Sequence, residues 1–319
     1  MKLTWKHFAA VLAAASLATA AVAQQRLFFG IATGGTYYPL GGMLAQLISN
    51  KATVDGKKIS ATAEAAGASV GNAQLLGKKD IESAFVAADI LDAAYYGKGQ
   101  FASAPLKNLR ALGALYPETV QLITRADSGI NSVRDLKGKS ISSGSPGSGQ
   151  YQLLTDLLQV YGLTRADVKE DLSSFTQAVD KIKDGNLHAT LITAGVPTAA
   201  ITDFAQSHAL KVIPLSGPEI ANLQKQQPYY ASVKLPANTY KGQADAVETL
   251  AVMAVWTTHD AVPEAVAYEV TKALYENTAI MGQVHAQGKN ISLQTAMAVG
   301  SVPFHPGALK YYKEKGLAK

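Results

Sequence analysis

The stretch from Leu27 to Leu47, LFFGIATGGTYYPLGGMLAQL, limits the possible folds more than any other part of the chain. It begins with a short apolar run, Leu27-Phe28-Phe29-Gly30-Ile31, bounded by turn residues, which is the pattern of a buried strand. Thr33-Gly34-Gly35-Thr36 follows as a tight turn. Leu40, Met43, Leu44, Leu47 and Ile48 then recur at the spacing of one helix face. Pro39 suits the first turn of that helix, where its missing N–H costs nothing. A strand that passes through a glycine turn into a helix leaves unpaired N–H groups at the helix start, a setting that suits an anion. An ordinary strand-to-helix turn also needs glycine, so one junction decides little. The chain makes a similar junction three more times, at Ala66-Gly67-Ala68-Ser69, at Gly144-Ser145-Pro146-Gly147-Ser148-Gly149-Gln150 and at Ala194-Gly195-Val196-Pro197-Thr198.

Between these junctions, apolar runs alternate with helical patterns, which predicts an α/β fold with mostly parallel sheets. Strands are expected at 58–63, 81–87, 187–193, 211–215 and 250–256, with another starting at Ile141. Two strand-like runs flank Tyr116-Pro117. Ser69 is expected to cap the helix carrying Val70, Ala73 and Leu76. Leu154, Leu157, Leu158 and Tyr161 mark a further helix that stops at Gly162. Ser174 and Gln177 have capping-box spacing ahead of Phe175, Ala178, Val179 and Ile182. Pro263 opens a helix with Val266, Val270, Ala273 and Leu274, and a last helix follows His305-Pro306. Residues 228–242 are turn-rich and aromatic. A polar connection after Thr124 sets a domain boundary near residue 126, and the strand at 250–256 is expected to return to the first domain. This gives lobe I from residues 24–126 and 245–319, and lobe II from residues 127–244.

Residues 1–23 read as a secretory signal peptide. Lys2 and Lys6 precede an apolar run from Phe8 to Leu17, and Ala21-Val22-Ala23 is a small-residue cleavage site. No other run reaches the roughly 18 apolar residues of a membrane span, so a soluble mature protein is expected. The chain has no cysteine. That excludes disulfides, thiolate chemistry, cysteine metal sites and a lipid anchor on cysteine, so the expected location is the periplasm, free of the membrane. The formal charge is +5 without any long lysine or arginine cluster, which gives no footprint for nucleic acid. With 48% apolar and 17% charged residues, the chain can bury a sizeable core.

The catalytic patterns fail one by one. Gly144 to Tyr151 has P-loop spacing, but Gln150 stands where the lysine belongs and Tyr151 replaces the magnesium-binding hydroxyl. Ser143 breaks a nucleophile elbow at Ser145, and Gln152 breaks a dinucleotide fingerprint. His188, His208, His259, His285 and His305 form no helical metal pair. No cofactor or metal is therefore expected, and an exported hydrolase is the weaker reading. Binding is expected instead. Tyr37 is favoured over Tyr38, which the following proline constrains. Asp89 either faces a cleft or caps the next helix. None of Arg26, Arg110, Arg125, Arg134 and Arg165 lies in a junction, which leaves Arg125 as the only candidate guanidinium clamp.

Several segments together resemble the TAXI family of TRAP-transporter solute-binding proteins: Gly34-Gly35-Thr36-Tyr37-Tyr38-Pro39-Leu40-Gly41-Gly42, Ala114-Leu115-Tyr116-Pro117-Glu118, Asp135-Leu136-Lys137-Gly138-Lys139, Gly144 to Gly149, Ala194-Gly195-Val196-Pro197, Lys272-Ala273-Leu274-Tyr275-Glu276-Asn277 and His305-Pro306-Gly307-Ala308. The match runs in order along the whole mature chain. The resemblance implies a two-lobed type II periplasmic binding protein fold with hinge strands and an interlobe cleft. It implies a small organic anion as ligand, such as glutamate or 2-oxoglutarate, and delivery to the membrane subunits of an ion-gradient-driven TRAP permease by a monomer. The expected ligand-binding residues are Gly34, Gly35, Thr36, Tyr37, Gly67, Ser69, Asp89, Ser145, Ser148, Gly149, Gln150, Ala194 and Gly195. The sequence departs from the family pattern at Ala66, Ala68, Ala87 and Gln150, where polar contacts to ligand change. A sensor that presents its ligand to a membrane kinase would use the same pocket.

Overall fold

The computed structural model describes residues 27–33 and 37–318. The expected signal peptide and the junction residues Gly34, Gly35 and Thr36 lie outside the described residues.

The first junction runs from strand β1 (Leu27–Thr33) to helix α1 (Tyr37–Lys51), which buries Leu40, Leu44, Leu47 and Ile48 as their spacing predicts. Strand β2 (Thr53–Val54) turns back into β3 (Lys57–Ala65), and helix α2 (Ser69–Lys78) follows. Strand β4 (Ser83–Ala87) enters helix α3 (Ala88–Tyr96) directly. Strand β5 (Leu109–Arg125) is 17 residues long and nearly all buried, the pattern of a strand covered on both faces. It continues through Pro117, where two separate runs were expected. The partner strand shifts register opposite this proline, between Met253 and Val255, so the ladder irregularity falls where a backbone N–H is missing.

Beyond β5 come β6 (Ser140–Ser142), helix α4 (Gln150–Val160), β7 (Lys169–Asp171), helix α5 (Phe175–Lys183), β8 (Ala189–Ala194), helix α6 (Ala199–Ser207) and β9 (Leu210–Ile213). Helix α7 (Pro218–Gln226) and strand β10 (Ala231–Leu235) were not expected from the pattern. Helix α7 is short and buries only Ile220 and Leu223, and β10 is mostly exposed, so each offers few apolar positions to read. Strand β11 (Val247–His259), helix α8 (Glu264–Tyr275) and helix α9 (Pro306–Glu314) complete the chain.

The strands form one sheet in the order β2-β3-β1-β4-β11-β5-β8-β6-β7, with β10 beside β11 and β9 beside β5. It is mixed, which corrects the expectation of mostly parallel pairing. β1 pairs parallel with β3 and β4, and β6 with β7 and β8. The long strands β5 and β11 pair antiparallel with each other and with their other neighbours. Apolar spacing reports which face a strand buries and says nothing about the direction of its partner. β5 and β11 run through the middle of the sheet and join its two halves. Trp256, Tyr311 and Tyr312 centre the core of the first half, and Ile123, Ile192 and Phe204 that of the second. A third apolar cluster, from Val86 and Ile90 to Leu153 and Leu154, extends across both.

Candidate binding cavity

A cavity of about 220 Å³ lies between the two halves, at the carboxyl ends of the strands where ligands of open α/β sheets bind. The first half contributes Tyr37 at the start of α1, residues 66–69 at the β3–α2 junction, Ala87 and Asp89 at the β4–α3 junction, and Glu118 from β5. The second half contributes Ser145, Pro146, Ser148, Gly149 and Gln150 between β6 and α4, Leu153, the α5 start at Ser174-Phe175, and Thr193 near the end of β8. Tyr230 reaches in from the connection between α7 and β10.

Of the residues expected from sequence, the fold brings Tyr37, Gly67, Ser69, Asp89, Ser145, Ser148, Gly149 and Gln150 together here. Ala194 and Gly195 do not line the cavity. The segment at 285–287 covers them: a Cβ on Gly195 would lie 2.9 Å from His285 Cε1, and Gln287 Nε2 donates to the Val196 carbonyl at 3.0 Å. Thr193 lines it in their place, because successive strand residues face opposite sides. Arg125 is not a clamp. It is solvent-facing and donates to both carboxylate oxygens of Asp127, at 2.9 and 2.7 Å. Tyr38 is exposed while Tyr37 is buried.

Two buried acids dominate the first wall. Glu118 is 4% exposed, and Tyr37 Oη donates to its Oε2 at 2.5 Å. Burial pushes the Glu118 carboxyl up to about 8; the Tyr37 bond pulls it down and the charge of Asp89 adds to the rise. Burial also raises Asp89, against the pull of Tyr230 Oη, which donates to its Oδ2 at 2.6 Å, and of the amides in the first turn of α3. Asp89 thus faces the cavity as the second residue of α3 and does not cap it, since Ala87 holds the cap position and no side chain caps this helix. Its other oxygen, Oδ1, is buried without a well-aligned hydrogen bond, as is Thr193 Oγ1. Burial holds the phenols of Tyr37 and Tyr230 in the neutral form. No lysine, arginine or histidine is among the residues lining the cavity.

The polar residues of the junctions also bind each other. Ser69 is the first residue of α2, not its cap, and its Oγ accepts from the Ala87 amide at 3.0 Å, fastening two junctions together. Ser148 Oγ donates to the Ser143 carbonyl at 3.1 Å and fixes the glycine loop. The Gly147 carbonyl crosses the cleft and accepts from the amides of Val70 at 3.1 Å and Gly71 at 3.4 Å, so the α2 start is satisfied by the opposite half. Gly149 permits the same closeness: a Cβ there would lie 2.9 Å from Ile90 Cγ1.

Glu118, Ser174, Phe175, Thr193 and Tyr230 line the cavity without having been expected there. Glu118 carried a usable signal, as the only charge between Ala111 and Thr124, where the chain is otherwise apolar or neutral.

Residues 31–316 match the model of the NMT1-like family, and the chain belongs to that family. Among solved structures it is similar to the alkanesulfonate-binding protein SsuA from Xanthomonas axonopodis pv. citri bound to MOPS, at 14% identity and TM-score 0.50 over 92% of this chain and 94% of that one. It is also similar to a putative L-cystine ABC transporter protein from Listeria monocytogenes, at 13% identity and TM-score 0.50 over 83% and 98% of the two chains. The fold is that of the periplasmic binding proteins.

Proposed function

We propose that this member of the NMT1-like family is a periplasmic solute-binding protein that closes its two halves on a small organic solute and hands it to a membrane transporter. The observation that carries the reading is the cavity lined from both halves and bridged by the Gly147 carbonyl. A solute that touches both walls binds the closed arrangement better than the open one, which is what drives closure. At about 220 Å³ the cavity is below the ~300–1,000 Å³ of drug-sized pockets, which favours a compact solute.

Within this reading, residues 1–23 are an export signal, residues 24–126 with 245–319 form one lobe, and residues 127–244 the other. The motif resemblance supports a protein of the TAXI kind serving an ion-gradient-driven TRAP permease, with a carboxylate on its solute. That carboxylate would be held by backbone N–H groups at the α4 start, those of Gly149 and Gln150 among them, in the loop that Ser148 holds in shape. Mass spectrometry of small molecules retained by natively purified protein, followed by a thermal-shift screen, tests the reading. A true solute at about 100 times its Kd stabilises the protein by roughly 2.7 kcal/mol. The reading fails if no small organic solute is retained or shifts the melt. Mature protein beginning at Gln24 is the expected result of N-terminal sequencing.

A further inference from the structure

Resting on the solute-binding reading, we propose that Tyr229 and Tyr230 are positioning residues for solute retention: they form a clasp that holds the second half of the molecule onto helix α3 of the first, so that the halves close even before a solute arrives. Asp89 and Asp92 are three residues apart in α3, which puts both on one face of that helix. Tyr230 Oη donates to Asp89 Oδ2 at 2.6 Å. Among the described residues this is the only side-chain hydrogen bond that Asp89 receives. One position earlier, the Tyr229 phenol faces Asp92 and Ser301. Its ring lies against the same loop, where a Cβ on Gly300 would be 3.8 Å from Tyr229 Cε1. Asp92 is 3% exposed and is held from its own half, by Ser301 Oγ to Oδ1 and Lys98 Nζ to Oδ2, each at 2.6 Å. The face that the tyrosines grip is therefore fixed before they reach it.

The tyrosines belong with the second half. The Tyr230 carbonyl accepts from Gln224 Nε2 at 3.0 Å, and its amide donates to the Gln227 carbonyl at 3.2 Å, which ties it to the end of α7. Helix α7 packs on α4, whose first residue, Gln150, lines the cavity. A hydrogen bond that joins the two halves exists only while they are closed, so it biases the equilibrium toward closure. A bond within one half is present in both arrangements and biases nothing. The amides of Val70 and Gly71 cross to the Gly147 carbonyl at a second place, so losing the clasp weakens closure without abolishing it. Asp89 and Tyr230 both line the cavity, which makes unclasping a step in how a solute enters and leaves.

The test needs no solute and uses the full mature chain. Because the chain has no cysteine, Lys78→Cys and Asn186→Cys place two spin labels without ambiguity, at the exposed last residue of α2 in the first half and just beyond α5 in the second. Pulsed electron resonance then reads the distances between the labels. The doubly labelled chain with both tyrosines intact should show mainly the distance of the closed arrangement described above. Y230F should lower the ratio of closed to open molecules by about tenfold, the worth of a hydrogen bond to a carboxylate, and Y229F by less. S301A is the matched control: it removes a 2.6 Å bond to Asp92 that lies within the first half, and should leave the ratio unchanged. The clasp is overturned if Y230F keeps the starting ratio, if S301A shifts it as far as Y230F does, or if the chain with both tyrosines is already open without solute. Each of those results leaves the solute-binding reading standing, since a solute can still close halves that do not close alone.

Discussion

The two walls of the cavity are built on opposite plans. The wall from the first half carries both carboxyls, and each sits where the backbone has no freedom. Glu118 lies within the 17 residues of β5, paired with Val252 of β11, and Asp89 lies in the helix turn that follows β4 without a loop. The wall from the second half is uncharged. Its loop is held by its own hydroxyls: Ser142 Oγ accepts from the Gly144 amide at 3.3 Å, and Ser148 Oγ donates to Ser143. Charge thus resides on the rigid side, where its spacing is fixed, and shape resides on the side that touches α2 through Gly147. Under the proposed closure on a solute, this division would let the shape of the site change while the distance between its two carboxyls, both on the first half, stays the same.

The largest effect should come from the charged wall. Glu118 has a folded-state pKa of about 8 against an ordinary 4.5, so between those values the folded protein holds a proton that the unfolded chain has lost. Stability of the unliganded protein should therefore be full below about pH 4.5 and decline as pH rises through about 8. Each pH unit between those two values is worth roughly 1.4 kcal/mol, so the decline is on the order of a few kcal/mol. Denaturant unfolding of wild type and E118Q across this range measures it, and the variant should lack that part of the slope. Parallel curves would mean that Glu118 is hydrated and the first wall is not as dry as its burial implies.

On the neutral wall, the largest effect is expected at Gly144. Its φ is +86°, and a Cβ would lie 2.6 Å from Ser148 Oγ. Gly144→Val adds a left-handed backbone penalty of about 1–2 kcal/mol and displaces the Ser148 bond, so a total loss near 2–3 kcal/mol is expected, with solute binding abolished. A variant that melts and binds like wild type would show the loop to be plastic, which ends the contrast between a fixed and a shaped wall. Tyr230→Phe comes next. It removes the phenol from Asp89 Oδ2 and should destabilise by about 1–2 kcal/mol near neutral pH, with less effect in acid where the carboxyl is protonated. Urea melts at two pH values check it.

How much of this was legible in the chain follows the reach of each interaction. The helix faces of α1 and α4, the Ser174–Gln177 box and the Pro263 start were readable because each is decided within a few residues. The continuity of β5 and the mixed pairing were not, since partners tens or hundreds of residues away decide them. The junction residues Ser69, Ser145, Ser148 and Gln150 were found for the same local reason. The acids' partnerships escaped, since Tyr37 meets Glu118 across 81 positions and Asp89 meets Tyr230 across 141. Gly195 failed in the opposite sense: its junction has the right local form, and a segment about 90 residues later covers it.

The smallest expected effect is the one that separates the walls most cleanly. Ser174 lines the cavity, yet its side chain belongs to the helix: Oγ accepts from the Gln177 amide at 3.4 Å, and Gln177 Oε1 accepts from the Ser174 amide at 3.1 Å. Ser174→Ala removes an N-cap and should cost about 1 kcal/mol of stability. If the second wall supplies shape rather than polar recognition at this point, the solute should bind S174A within about twofold of wild type once the protein is folded, because a lost cap weakens the helix without removing a ligand contact. Tyr37→Phe on the first wall makes the matched comparison, since it also removes one hydroxyl, but one that holds Glu118. It should weaken binding more than it lowers the melting temperature relative to S174A. Calorimetry and thermal melts on the two variants side by side give the answer. An S174A protein with an unchanged melt and lost binding would place direct recognition on the neutral wall, and the division between a charged side and a shaping side would have to be abandoned.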